Sequence, residues 1–344
     1  MKLYIHCGFP RTGTKSLQII LFPNHPQINY LGRYPKTKPR LELMDLICNL
    51  NNDDFDKRYS ELLKKTKEFY LDPNKINVIS YEFIIFNSIH YNPCPNDIDF
   101  RTVSRAVTRI KSLFSKIHVD VFFFFSIRSQ SNIIHSFYNV ASSELNRSLT
   151  FTAEEIIQYF KTNNTNKPKI KRLIDGFKYW ELYKNCTKAV GENNINFFLY
   201  EKLKFDFDNF IFDLSNYLKI DSAISNKLLK NNSENRSIEF MKENSFINSP
   251  LSILSSKIIK NFKNPKNLFN NFNKKLLNML KLLYKHIIKY RPKDKEVFKI
   301  KKENFIKQLN IIKNNSSLIK KYYRNDCLEL KNKLKLDIDK YDYL

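Results

Sequence analysis

The sequence predicts an α/β fold, with a central parallel β-sheet flanked by helices and a helical C-terminal elaboration. Two patterns and their order predict it. Apolar runs at 2–9, 77–83, 119–127 and 195–200 are nearly continuous rather than alternating. Strands covered on both faces have that character, as in a parallel sheet. Amphipathic stretches at roughly 54–70, 98–115, 130–146, 152–161 and 168–190 have helical spacing and fall between those runs. Strand and helix therefore alternate, which is the signature of parallel α/β architecture.

Taken in order, the run KLYIHCGF at 2–9 is β-rich and ends in Gly-Phe-Pro. Arg11-Thr12-Gly13-Thr14 follows, and then a helical pattern through Lys15, Leu17, Ile20 and Leu21. That is strand, tight loop, helix. The runs NVISYEF, VDVFFFFSI and INFFLY supply the later strands. Beyond about 207 the pattern is almost wholly helical. Asn/Lys-rich breaks near 231–236 and 263–273, with Pro250, Pro265 and Pro292, punctuate it.

Composition excludes several classes. With 42% hydrophobic and 14% aromatic residues, the 344-residue chain can bury a core, so it is not a disordered polycation. Only 5 glycines exclude collagen-like and Gly-rich linker classes. The net charge of +25 comes from 59 Lys and Arg, of which only 13 are Arg, against 34 Asp and Glu. It is uneven, since residues 249–344 hold 24 Lys and Arg against 8 Asp and Glu. Such a region attracts anionic surfaces weakly, and a solvated lysine face is its simplest explanation.

Cys7, Cys48, Cys94, Cys186 and Cys327 are scattered and never form C-x-x-C, so neither a disulfide framework nor a zinc site is suggested. The N-terminal apolar run is too short for a signal h-region, and no stretch reaches the ~18 apolar residues of a membrane span. The expectation is a cytoplasmic chain.

Gly8-Phe9-Pro10-Arg11-Thr12-Gly13-Thr14-Lys15-Ser16 invites comparison with the nucleotide P-loop G-x-x-x-x-G-K-[ST]. Gly8 and Gly13 have its spacing, but Thr14 intervenes before Lys15. One residue of slip turns a helical side chain by about 100°, so Lys15 cannot point where a Walker lysine does. The anion cradle survives. Gly13 permits the tight turn, the helix N-terminus offers N–H groups, Thr12, Thr14 and Ser16 add hydroxyls, and Arg11 adds a cation. A second element lies behind the strand VFFFFSI. Arg128 sits at its C-terminal end and Ser136 about two turns into the next helix. Parallel α/β sheets bind ligands at that end.

These residues resemble the sulfotransferase family that uses 3′-phosphoadenosine 5′-phosphosulfate (PAPS) as donor. Gly-x-Pro-Arg-Thr-Gly-Thr-x-Ser-Leu after an N-terminal strand is similar to its 5′-phosphosulfate loop, and Arg128 with Ser136 to its 3′-phosphate site. Phe198-Leu199-Tyr200-Glu201-Lys202-Leu203 is similar to a strand ending in Tyr-Glu-Asp-Leu, with Lys202 in place of the family's Asp, so Tyr200 is a candidate adenine neighbour. Asn235-Arg236-Ser237-Ile238-Glu239-Phe240-Met241-Lys242-Glu243-Asn244 resembles the segment that, in cytosolic members, touches the adenosine 3′-phosphate. Leu336-Asp337-Ile338-Asp339-Lys340-Tyr341-Asp342-Tyr343 resembles the ending of bacterial relatives. Residues 30–75 and 245–325 match nothing in the family.

The resemblance implies a single sulfotransferase domain over 1–344. Residues 1–248 would form the nucleotide-binding core, and 249–344 a Lys-rich helical extension packed on it. It also implies a PAPS co-substrate, no metal, and a hydroxyl or amine acceptor, with a saccharide or glycolipid expected. No nucleic-acid partner is expected, while the Lys-rich region offers peripheral contact with anionic surfaces.

Transfer also needs a general base, which family members supply as His or Glu. Glu82, ending NVISYEF, is the choice, because it reaches the same sheet edge as Arg11 and Arg128. Glu42 is its rival. His25 and His90 are isolated loop histidines, His6 and His118 suit packing, and His135 neighbours Ser136. Two other classes stay open. A kinase or NTPase is disfavoured by the displaced lysine and by a strand without a Walker-B Asp. A basic nucleic-acid- or membrane-binding module would use 257–302, whose aromatics fall at helix-like intervals.

Overall fold

Five parallel strands form one sheet in the order β2-β3-β1-β4-β5, from β1 (Lys2–His6), β2 (Ile28–Tyr30), β3 (Ile76–Ser80), β4 (Asp120–Ile127) and β5 (Ile195–Leu199). The computed structural model describes residues 1–9, 11–32, 38–82, 84–85, 101–144, 151–230, 304 and 306–344. The first strand in the chain lies at the centre of the sheet. The chain leaves it toward β2 and β3, then crosses over β1 to reach β4 and β5.

Both faces of the sheet are buried, which is why the strand sequences read as unbroken apolar runs. Leu3 and Ile5 of β1 and Val121, Phe123, Phe125 and Ile127 of β4 enter one core. Tyr4, Phe124, Val78 and Phe198 enter the other. Helices α6 (Arg101–Ser115) and α10 (Tyr179–Val190) cover the first face. The second is covered by α12 (Phe207–Leu218) and by the helical run that follows β1. That run is α1 (Thr14–Ser16), a π-helical segment over Leu17–Leu21, and α2 (Phe22–Asn24).

Further helices are α3 (Lys38–Asn49), α4 (Asn52–Lys57), α5 (Tyr59–Lys67), α7 (Gln130–Glu144), α8 (Ala153–Thr162), α9 (Pro168–Asp175), α11 (Tyr200–Phe205) and α13 (Ser316–Leu334). Thr152 and Glu155 close a reciprocal capping box on α8, and Pro168 opens α9, where its missing N–H costs nothing. Helix α13 buries Ile319, Tyr323, Cys327 and Leu330 and packs on α7, α8 and α10. Among the described residues no helix is long and apolar enough to cross a membrane.

Several boundaries differ from the sequence reading. The stretch 54–70 is two helices parted at Arg58, and 168–190 breaks over Gly176–Lys178, where Phe177 turns fully inward. The run 77–83 leaves the sheet after Ser80. β2 has only three residues with a polar Asn29 in the middle, so it carries no apolar run; Asn29 pairs with Asn77 of β3 at 2.8 Å. The proposed boundary at 248 lies outside the described residues.

Candidate functional site

The strand order creates a crevice outside the C-terminal ends of β1 and β4. The connection after β1 runs to one side of the sheet and the connection after β4 to the other, so the two loops part there. Open α/β sheets bind ligands at such a switch point. Arg11 follows β1 and Arg128 follows β4.

The loop after β1 is held from beneath. Cys7 and Phe9 donate their N–H groups to Phe124 and Ser126 of β4, at 2.8 and 3.2 Å. Thr12 is buried and donates its hydroxyl to the Phe9 carbonyl at 2.6 Å. Arg11 and Gly13 both have left-handed backbones, with φ of 70° and 75°. The second suits glycine. The first is strained for a residue with a Cβ, and such outliers cluster at functional sites. A Cβ on Gly13 would lie 2.7 Å from Leu203 Cδ2 and 3.3 Å from the Tyr200 ring. One on Gly8 would lie 2.1 Å from Thr14 Cγ2. The loop thus threads between side chains with no room to spare.

Below the loop lies a buried polar bridge. His6 contacts Ser80 Oγ at 2.7 Å through Nδ1 and Ser126 Oγ at 2.9 Å through Nε2, tying β3, β1 and β4 together. Gln18, turned inward by the π-helical segment, donates to Ser80 at 3.0 Å. Burial lowers the His6 pKa to about 3, so its imidazole is neutral. His6 serves the sheet rather than proton transfer.

Around the crevice the structure gathers residues far apart in sequence. Arg11 Nε donates to Ser136 Oγ at 3.1 Å. Arg128 Nη1 donates to the Arg11 carbonyl at 3.2 Å, and its guanidinium lies 4.9 Å from the centre of the Tyr200 ring. Arg128 Nε is buried and has no hydrogen-bond partner among the described residues. An orphaned buried donor on a guanidinium is costly unless something anionic completes it. Thr14 donates its hydroxyl to Glu82 Oε2 at 3.2 Å, placing that half-buried carboxylate beside the loop. Lys15 is exposed at the second position of α1, and Ser16 is half-buried, its N–H on the Gly13 carbonyl at 3.0 Å.

Arg11, Thr12, Gly13, Thr14, Arg128, Ser136, Tyr200 and Glu82 thus share one region, with two adjustments. The Thr12 hydroxyl is spent inside the loop on the Phe9 carbonyl, so it has no proton left to donate outward. The Arg11 side chain reaches toward Ser136, which joins two subsites that the sequence reading kept apart. Arg236, Ser237 and His90 lie outside the described residues. Glu42 is exposed on α3. His25 is fixed by the Gln27 N–H on Nδ1 and the Asp221 carbonyl on Nε2, at 3.3 and 3.2 Å, and burial lowers its pKa. His118 is exposed before β4. For His135, burial, then Arg128 and Lys313, hold the imidazole below its ordinary pKa. Among the described residues no group of three His, Cys, Asp or Glu could hold a metal.

Sequence reasoning missed Glu201. It is 3% exposed, accepts from the Ser129 N–H at 3.0 Å and from the Tyr343 hydroxyl at 3.0 Å, and burial raises its pKa. The only available signal was a Glu directly after Tyr200 at a strand end.

No protein-family model matches the chain, and no curated protein does. Among solved structures, a sulfotransferase from Alicyclobacillus acidocaldarius aligns with a TM-score of 0.40 at 12% identity, over 64% of this chain and 81% of that one. So loose an alignment leaves the chemistry to the residues of the crevice themselves.

Proposed function

We propose that the chain is a sulfotransferase that takes its sulfuryl group from PAPS and passes it to an acceptor hydroxyl or amine, a saccharide or glycolipid being the expected class. The observation that carries this reading is the convergence of Arg11, Arg128 and Ser136 at the switch point, where the buried Nε of Arg128 has no partner among the described residues. A donor with phosphate groups at both ends of its ribose needs two anion sites close together. The loop 11–16 and the strand end at Arg128 provide them.

The donor, when bound, supplies an activated sulfuryl group for in-line transfer. In this chain Arg11 and the first N–H groups of α1 stabilise negative charge that grows on the transferring group. Arg128 and Ser136 bind the 3′-phosphate, and Tyr200 lies against the nucleoside. Glu82, held by Thr14, accepts the acceptor's proton. The kinase or NTPase alternative loses ground, because Lys15 is exposed rather than turned into the loop.

Titration with 3′-phosphoadenosine 5′-phosphate tests the reading on wild type, Arg11→Ala and Arg128→Ala. Wild type should bind in the micromolar range and both variants at least tenfold more weakly. Arg128→Ala should also lose the preference over adenosine 5′-phosphate. Absence of binding by wild type, or magnesium-stimulated nucleotide hydrolysis, would sink it.

A further inference from the structure

The peptide unit joining Arg128 to Ser129 is pinned at both ends. Its carbonyl accepts from the Tyr179 hydroxyl at 2.7 Å, and its N–H donates to Glu201 Oε1 at 3.0 Å. The other carboxylate oxygen, Oε2, accepts from the Tyr343 hydroxyl at 3.0 Å. Tyr179, Glu201 and Tyr343 are 0%, 3% and 1% exposed. They come from α10, from the start of α11 and from the segment after α13. That last segment is itself tied down by Lys331–Asp339 and Lys320–Asp342 ion pairs and by buried Ile338.

A buried carboxylate is an expensive way to hold a turn, since an apolar residue would pack there without desolvating a charge. What the carboxylate achieves is orientation, because each of its oxygens takes one directed bond. The same Tyr179 ring meets Phe9 edge-on with centroids 5.0 Å apart, and the Phe9 carbonyl anchors Thr12. The turns after β1 and β4 are therefore both referenced to Tyr179.

We propose that Glu201, with Tyr343 and Tyr179, is a positioning group for Arg128. It sets where the guanidinium stands relative to Arg11 and Ser136, and hence how strongly the crevice distinguishes a nucleotide with a second phosphate from one without. This rests on the function proposed above. Glu201 touches no ligand in this scheme; it acts through the 128–129 peptide.

The test is the ratio of dissociation constants for adenosine 5′-phosphate and 3′-phosphoadenosine 5′-phosphate, in wild type, Tyr343→Phe, Glu201→Ala and Glu201→Gln. Folding is checked by the fluorescence of Trp180, the chain's single tryptophan. Loss of a hydrogen bond to a charged group is worth about tenfold, so Tyr343→Phe and Glu201→Ala should lower the ratio by about that factor. Their affinity for adenosine 5′-phosphate should change by less than about threefold. Glu201→Gln keeps an oxygen for the Ser129 N–H and should restore most of the ratio. An unchanged ratio in folded Tyr343→Phe overturns the proposal, as does an equal loss of both ligands. If Glu201→Ala does not fold, Tyr343→Phe decides alone. A wild-type ratio near one fails at a different arm and overturns the proposed function along with this inference.

Discussion

Thr14 donates its hydroxyl to Glu82 across 68 residues of sequence, joining the first turn after β1 to the turn after β3. The bond fixes one carboxylate oxygen against the loop after β1. Glu82→Gln should lower turnover by about 10²–10³ as expected for a lost general base, while nucleotide affinity stays within about twofold. Thr14→Val should lose a smaller factor, mainly in kcat. Unchanged kcat in Glu82→Gln would remove Glu82 from the mechanism.

Arg11→Lys separates charge from geometry. Lysine keeps a cation but lacks the Nε donor that meets Ser136. Calorimetry with 3′-phosphoadenosine 5′-phosphate should show an affinity between those of wild type and Arg11→Ala. Equal affinity for Arg11→Lys and wild type would mean that the bond to Ser136 contributes nothing.

Gly13→Ala should be destabilised by about 1–2 kcal/mol from the left-handed backbone alone. The contact of its Cβ with Leu203 Cδ2 at 2.7 Å adds to this. Urea unfolding followed by Trp180 fluorescence measures the loss. A variant as stable as wild type would show that the loop relaxes at no cost.

Two buried groups give opposite pH dependences. His6 has a folded pKa of about 3, below its ordinary value, so the unfolded chain binds its proton more readily and stability falls as pH drops below about 6.5. Asp326 accepts the Trp180 N–H at 3.1 Å, and burial raises its pKa to about 7. The folded chain keeps that proton above the usual carboxylate range, so stability falls as pH rises from about 4 to 7. Between about pH 4.5 and 6 each effect amounts to about 2 kcal/mol, and they offset each other. Relative to wild type, His6→Gln should lose stability as pH rises through that window and Asp326→Asn should gain it. Parallel profiles for all three proteins would refute both assignments.

Much of the fold was legible because both faces of the sheet are buried. The runs around Phe123 and Phe197 could not alternate, and that marked them as interior parallel strands. β2 escaped because three residues at a sheet edge, with Asn29 between Ile28 and Tyr30, carry no apolar signature. In the site, the loop from Arg11 to Ser16 and the strand end at Arg128 could be read locally. The Arg11–Ser136 bond, spanning 125 residues, could not, nor could the inward turn of the Thr12 hydroxyl. Glu201 looks like a surface residue at the start of a helix until Tyr343, 142 residues later, closes over it.

The position of β1 carries a consequence for folding. It comes first among the five strands of the sheet, yet both of its partners, β3 and β4, lie far along the chain. Arg11 cannot meet Arg128 until β4 has docked on β1, a contact spanning 117 residues. Such long-range pairing forms late and slowly. The crevice is therefore among the last features to assemble. On the proposed function, nucleotide binding during refolding would lag behind the helical signal and time the completion of the central sheet.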